Sequence, residues 1–405
     1  MAMAEIGATK GGGSNRQALS DEDAAGRELF EGWAREAGCE ITVDRVGNLF
    51  ARRAGRDPSR PPVLVGSHLD TQPTGGRFDG VYGVLGGLEV LERLNDLGIE
   101  TEAPVEVAVW TNEEGSRFQR SMMGSGVWAG VFELEDTYDL TDVDGISVAD
   151  ELQRLGWVGE LPAEPRELTA SFELHIEQGP ILETDELEVG VVTGVQGLRW
   201  FDIRLEGFPA HAGPTPMSGR RDPARAIARI IDGVYAMADE LGPWARATFA
   251  QFSSFPVSPN TIPLELTCSL DLRHPDLDVL DRLESGLREI VAREAGLLGV
   301  GFEITLQNDS PPVAFDPACI EAVRTSVDGL GYSHADIVSG AGHDACYVAK
   351  HAPTAMVFVP CDDGLSHNEV ENISAAQAER GASVLLGAVV RTAVEVSGGP
   401  TRPRP

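Results

Sequence analysis

Four short apolar segments each lead into residues able to hold a cation, and this repeated ending narrows the possible folds more than any other feature. Residues 62–65 (Pro-Val-Leu-Val) run into Gly66-Ser67-His68-Leu69-Asp70-Thr71, and then into Gly75-Gly76-Arg77-Phe78-Asp79-Gly80. Residues 105–111 lead to Asn112-Glu113-Glu114-Gly115, residues 171–175 end on His175, and residues 354–359 precede Gly364-Leu365-Ser366-His367. Short continuous apolar runs bounded by turn residues read as buried strands. Between them lie helical spacings. Residues 20–38 open on Ser20 as N-cap with Asp23 at the third helical position, and put Leu29, Phe30 and Trp33 on one face. Residues 81–97 carry Val84, Leu85, Leu88 and Leu91 at helical spacing. Residues 41–43 and 48–51 resemble a strand pair. Strands alternating with helices predict an α/β core.

The pattern changes at about Gly197. Strands at 198–206, 247–255, 261–273 and 301–308 alternate with helices at 221–238 and 277–295, in the order β-α-β-β-α-β of a ferredoxin-like unit. After Pro311-Pro312 the α/β alternation resumes, with a helix near 317–330, strands at 335–338 and 354–359, and a last helix from Ser374. A chain of 405 residues has room for two domains. The expected organisation is a catalytic domain in two pieces, 1–196 and 313–405, with the 197–312 unit inserted. Residues 1–14, rich in Gly and Ala, read as a frayed tail.

Charge excludes some partners. Acids outnumber bases 64 to 32, for a net charge of −32, and only Lys10 and Lys350 are lysines. No nucleic acid or anionic membrane is expected as a partner. No apolar run approaches the roughly 20 residues of a membrane span. The five cysteines are scattered with no CxxC pair, so a reducing cytoplasm is expected. A dispersed acidic surface with almost no lysine suits a salt-rich, halophilic cell interior, where screening tolerates the self-repulsion.

Open α/β sheets bind ligands outside the carboxyl ends of their strands. His68, with Asp70 two residues on to hold its ring, is a metal-ligand arrangement at such an end. Asp79 could bridge two metals. Glu113 and Glu114 are adjacent, so their side chains diverge, and one could ligate metal while the other faces substrate. His68, His175 and His367 with Asp79 and Glu114 form a five-ligand set of imidazole and carboxylate, suited to Zn, Mn, Co or Ni. Taken singly, each of these is most simply a satisfied core or turn residue. Their convergence on separate strand ends, in a chain with only eight histidines, is what gives the set weight.

These segments resemble the dinuclear-metal amidohydrolases of the M20 peptidase superfamily, in the branch of N-carbamoyl-L-amino-acid hydrolases, allantoate amidohydrolases and β-ureidopropionases. The resemblance runs from about Ser20 to about Leu386. It implies an α/β metallo-aminopeptidase-like catalytic domain carrying a lid and dimerisation domain, and two divalent ions per subunit. It further implies His68 on one metal, Asp79 bridging both, Glu114 and His175 completing the sites and His367 as the distal ligand. Asp70 would stand behind His68, and Glu113 would be the general base. The His175-Ile176-Glu177-Gln178 segment favours the amidase branch. His211, in Pro209-Ala210-His211-Ala212-Gly213, would stabilise the oxyanion in the partner subunit's site, which implies a homodimer. Gln178 would contact the ureido group, while Arg273, Asn260 and the Gly342-His343 loop would receive the carboxylate of a small N-carbamoyl or ureido acid. The turn Thr71-Gln72-Pro73-Thr74 departs from the Val-Pro-Asn of many relatives and is expected to alter only the lining of the site's mouth.

Overall fold

The computed structural model describes residues 1–394; residues 395–405, the end of the expected second catalytic piece, lie outside the described residues. The chain divides into two compact units, one of Met1–Gly194 with the chain from Ala314 onward, the other of Val195–Val313.

The first unit is built on a nine-stranded mixed sheet. Its centre is four parallel strands, in the spatial order Val105–Trp110, Val63–His68, Ala170–Ile176 and Thr354–Val359. All four are buried throughout, because helices cover the sheet and leave no wet face. Helix Ala375–Val394 packs on both Val81–Asp96 and Pro317–Leu330, and all three pack on these strands. Register sets the functional edge: His68 lies opposite Trp110, and His175 opposite Phe358. Parallel strands point their carboxyl ends the same way, so the loops that leave those ends gather along one edge. The strand Val189–Val195, which the apolar pattern alone does not separate from its surroundings, pairs antiparallel with Thr354–Val359, as Leu49–Arg53 does with Val105–Trp110 on the other side, so the sheet is mixed.

Local chemistry fixes the element ends. Ser20 accepts from the Asp23 amide at 3.1 Å and starts the helix Asp21–Glu36. Its buried face is not the expected one. Asp23, Arg27, Phe30 and Ala34 turn inward while Leu29 and Trp33 are half-buried, because the buried Arg27–Asp23 ion pair at 3.0 Å claims the inner face. Ser374 and Gln377 cap the last helix reciprocally, Gln377 N donating to Ser374 Oγ at 3.2 Å.

In the second unit four antiparallel strands lie in the order Gly301–Ser310, Gly197–Glu206, Glu265–His274, Arg246–Phe255. Helices Pro223–Glu240 and Leu277–Leu298 cover one face, and Phe201, Ile203, Leu205, Ile230, Leu283 and Leu287 form the core between them. The β-α-β-β-α-β sequence order with this sheet order is ferredoxin-like. The expected strand at 261–273 is split: Thr261–Ile262 leaves to pair with Ala210–His211, and Glu265–His274 stays in the sheet. Pro263 stands at the break, with no N–H to donate to a ladder.

The N-terminal residues are not a frayed tail. Ala2–Glu5 is a helical turn with Met3 buried, and Ser14 bridges to Gly75. Arg16 organises them. Its buried guanidinium donates to the carbonyls of Leu69 at 2.8 Å, Met3 at 3.1 Å and Ile6 at 3.0 Å, and its amide to Thr71 Oγ1 at 2.8 Å. Residues 1–16 thus clasp the loop that leaves His68. Replacing Arg16 by Ala strands buried carbonyls that a charged donor satisfied, so we expect a loss of about 3 kcal/mol in denaturant unfolding and faster amide exchange over residues 3–16. A loss below about 1 kcal/mol would show that Met3 burial, not Arg16, holds the segment.

Candidate metal centre

His68 is the last residue of its strand and His175 the sixth of seven in the next. Asp79 closes the loop before the helix Val81–Asp96, Glu113 and Glu114 come after Val105–Trp110, and His367 after Thr354–Val359. Gly80, at φ 64°, lets that loop turn against the His68 ring, into which a Cβ would run.

The Asp79 carboxylate is the point where these elements meet. Its Oδ1 lies 3.2 Å from His175 Nε2 and 3.7 Å from His68 Nε2. Its Oδ2 lies 3.4 Å from His367 Nε2, which is itself 3.3 Å from Glu114 Oε2. Two groups of potential ligands, His68–Asp79–His175 and Asp79–Glu114–His367, therefore share one carboxylate, an oxygen to each. Ligand atoms about 2.0–2.2 Å from one ion at tetrahedral angles lie roughly 3.3–3.6 Å apart, so both groups have the right spread. Ring orientation fits as well. His68 Nδ1 donates to the Asp70 carbonyl and His175 Nδ1 to the Ile176 carbonyl, each at 2.9 Å. In the neutral ring this leaves both Nε2 lone pairs facing Asp79, the tautomer a metal ligand needs. A third gathering, Glu173, His175 and His343, is already committed. Glu173 accepts from Ser67 Oγ at 2.9 Å and from Ala345 N at 3.0 Å, and His343 Nε2 pairs with Ser339 Oγ at 2.8 Å.

The electrostatics favour a cation. Burial pushes up the Glu113 carboxyl, and Asp344, Glu114, Asp70 and Asp79 push it further, well above the usual range. Glu114 rises to about 8, from burial and then Asp79. Burial opposes charge on Asp79 too, but hydrogen bonds to His175 and His367 outweigh it and hold Asp79 well below the usual range. Burial would lower His175, yet Asp79 raises it to about 9, whereas burial takes His68 down to about 4. Protonated imidazole here plays the counter-charge that a bound cation supplies.

Asp70 does not hold the His68 ring with its side chain. Its carboxylate is 3.9 Å from Nδ1, and the carbonyl takes the bond instead. The Asp70 carboxylate accepts from the amides of Glu113 at 3.2 Å and Glu114 at 3.1 Å, so it aims the two glutamates. Gln72 does more than line a mouth: its amide donates to Glu114 Oε1 at 3.1 Å and its side chain to Oε2 at 2.7 Å. Gln178 reaches in at φ 57°, its Nε2 donating to Asp79 Oδ2 at 2.9 Å, while its buried Oε1 has no partner among the described residues. His343, beside Gly342, is buried with its ring centroid 4.6 Å from that of His175, and burial holds it well below the ordinary histidine range. Asp344 is bonded to Ser125 Oγ. Glu371 and Ser366, which sequence reasoning misses, support Asp79 through its amide and its carboxylate. Their one signal is position, just after and just before His367.

His211, Asn260 and Arg273 belong to the second unit. Pairing of Ala210–His211 with Thr261–Ile262 puts His211 opposite Thr261, and Ala212 N donates to the Asn260 carbonyl at 2.8 Å. Gly213 N donates to His211 Nδ1 at 3.1 Å, so the neutral ring carries its hydrogen on Nε2. The Arg273 guanidinium is oriented by Asp271, Nε donating to Oδ1 at 3.0 Å and Nη2 to Oδ2 at 2.8 Å.

Comparison with known proteins places the chain in a family. The sequence model of peptidase family M20/M25/M40 matches residues 64–391. An N-carbamoyl-L-amino-acid amidohydrolase of Rhizobium meliloti is 49% identical over 97% of this chain and 94% of its own length. An allantoate amidohydrolase of Bacillus subtilis is 33% identical over 96% of this chain and 95% of its own. The crystal structure of an amidase of the hydantoinase/carbamoylase family from Burkholderia multivorans superposes with a TM-score of 0.94 at 54% identity, covering 98% of this chain and 96% of that one. A family match over most of the length, with relatives aligned nearly end to end, makes the chain a member of peptidase family M20/M25/M40.

Proposed function

We propose that the protein is a metal-dependent amidohydrolase that cleaves the carbamoyl C–N bond of N-carbamoyl-L-amino acids, releasing the L-amino acid, CO2 and ammonia. The observation that carries this reading is the Asp79 carboxylate shared between two ligand groups, with the partly buried Glu113 carboxyl beside it, Oε2 lying 3.5 Å from His68 Nε2. The relative from Rhizobium meliloti, named for that activity, supports the substrate. A solved M20 relative described as a dinuclear metal-binding peptidase shares the fold at 16% identity and a TM-score of 0.63.

His68 and His175 would hold one divalent ion and Glu114 and His367 the other, with Asp79 on both; Zn, Mn, Co and Ni all suit this donor set. Such a pair of ions would lower the pKa of water toward neutrality and polarise the scissile carbonyl. Glu113 takes the proton of the attacking water and returns it to the leaving nitrogen. Asp70 keeps Glu113 and Glu114 aimed through their amides. Gln178 Oε1, without a partner among the described residues, is an acceptor for a carbamoyl N–H. His211, its Nε2–H free to donate, is the second oxyanion donor. Arg273, held flat by Asp271, and Asn260 receive the substrate carboxylate, whereas His343 is buried and pairs with Ser339, so it is not one of the groups that bind it. We further propose a cytoplasmic homodimer in which the 197–312 unit is both lid and interface and His211 serves the partner's site. The net charge of −32 supports a halophilic interior. The Bacillus subtilis relative keeps allantoate as the alternative substrate, through the same machinery with a different pocket.

Ammonia release in high salt, with Mn, Co, Ni or Zn added, should be fastest on N-carbamoyl-L-amino acids among a panel including allantoate, N-carbamoyl-β-alanine and dipeptides, and should vanish on chelation. Turnover of dipeptides alone would sink the reading. Glu113→Gln should cut kcat by roughly 10²–10⁴-fold while metal content stays at the wild-type level; full activity would remove Glu113 as the base. Mixing inactive Glu113→Gln and His211→Ala subunits should restore activity at one site of the heterodimer, and no recovery would place each site within one subunit.

A further inference from the structure

Asp79 is held from behind by a residue on the His367 loop. Glu371 is fully buried, and its Oε1 accepts from the amides of Phe78 at 2.9 Å and Asp79 at 3.0 Å. Its Oε2 lies 3.0 Å from Ser366 Oγ, which in turn lies 2.8 Å from Asp79 Oδ2. These contacts close a ring through the Asp79 amide, Glu371, Ser366 and the Asp79 carboxylate. Ser366 immediately precedes His367, whose backbone is at φ 54°. The ring therefore joins the two loops that carry Asp79 and His367. Gly76 permits it: a Cβ at that position would run into the Glu371 carboxylate. A second tie runs alongside, Arg77 Nη2 donating to Asn372 Oδ1 at 3.1 Å.

We propose that Glu371, acting through Ser366, is a positioning residue that sets the Asp79 carboxylate against His367 and so fixes the affinity of the Asp79–Glu114–His367 group for its ion. The proposal rests on the two-ion reading of the site. The Asp79 oxygen facing His367 is the one Ser366 touches, whereas the oxygen facing His68 and His175 has its direction set by two strand ends. Loss of Glu371 therefore frees one side of the shared carboxylate more than the other. Gln at 371 keeps an oxygen for the Phe78 and Asp79 amides, so it preserves most of the ring; Ala strands both amides.

The test is calorimetric titration of Mn2+ into chelator-stripped full-length protein, with thermal unfolding of each metal-free variant as the structural control. Wild type should take up two ions. Glu371→Ala should bind one of them roughly 10–100-fold more weakly and leave the other within about twofold. Glu371→Gln should recover most of the loss. Ser366→Ala should weaken the same ion, and the double variant should be no weaker than Glu371→Ala, because both act through one chain of contacts. Unchanged affinities in Glu371→Ala, or equal weakening of both ions, overturn the assignment. If Glu371→Ala does not fold, the Ser366→Ala titration decides, and wild-type affinity there overturns it. A wild-type chain that takes up fewer than two ions overturns the two-ion reading itself, and the proposal with it.

Discussion

A buried carboxylate can stay charged only if its surroundings supply compensating charge or donors, and at Asp79 the surroundings are nearly all committed to that task. Three histidines point at it, two at Oδ1 and one at Oδ2. Gln178 and Ser366 add donors on Oδ2, and Glu371 fixes the backbone that carries it. Around this group lie Asp70, Glu113, Glu114 and Asp344, all largely shielded from water and all raised, by burial first and then by neighbouring carboxylates, which for Asp70 is Asp23. So much like charge in one place costs stability unless something positive joins it. The fold accepts that cost at the edge where its strands end.

The sheet explains why the charges meet there. Parallel pairing sends four strand ends to one edge, and register puts His68 level with Trp110 and His175 level with Phe358. A slip of one residue in any strand would turn every side chain to the opposite face of the sheet. The apolar runs forbid such slips, because every residue of these strands is buried and each has a fitted neighbour. Core packing and ligand geometry are thus one constraint: the residues that hold register are Val, Leu, Ala and Phe within the strands, not the ligands at their ends.

This division decides what can be read from the sequence. Apolar runs and their polar ends are local, so the α/β core, the β-α-β-β-α-β order of the second unit and the convergence of His68, Asp79, Glu114, His175 and His367 are legible. Ties between distant segments leave no local pattern. Gln72 looks like a turn residue, yet it meets Glu114 across 42 positions. Glu371 meets the amide of Asp79 across 292. The spacing of Asp70 suggests a carboxylate holding a ring two residues away, where the chain uses the carbonyl for that and spends the carboxylate on the amides of Glu113 and Glu114. The Asp70 and Glu371 carboxylates each satisfy backbone amides of another loop, and a backbone group has no residue type to betray it.

The N-terminal segment carries the same lesson furthest. Its glycines suggest disorder, and composition alone supports that reading. What orders it is a single buried arginine whose acceptors, Ser14 Oγ apart, are carbonyls, contributed by Met3, Ile6 and Leu69. Any residue type can offer a carbonyl, so nothing in the sequence around position 69 announces the contact. Yet Leu69 stands between His68 and Asp70, and Thr71, which takes the Arg16 amide, stands beside Gln72. The segment that looks least structured therefore braces the stretch from His68 to Gln72, from which a proposed ligand and the supports of Glu113 and Glu114 all arise.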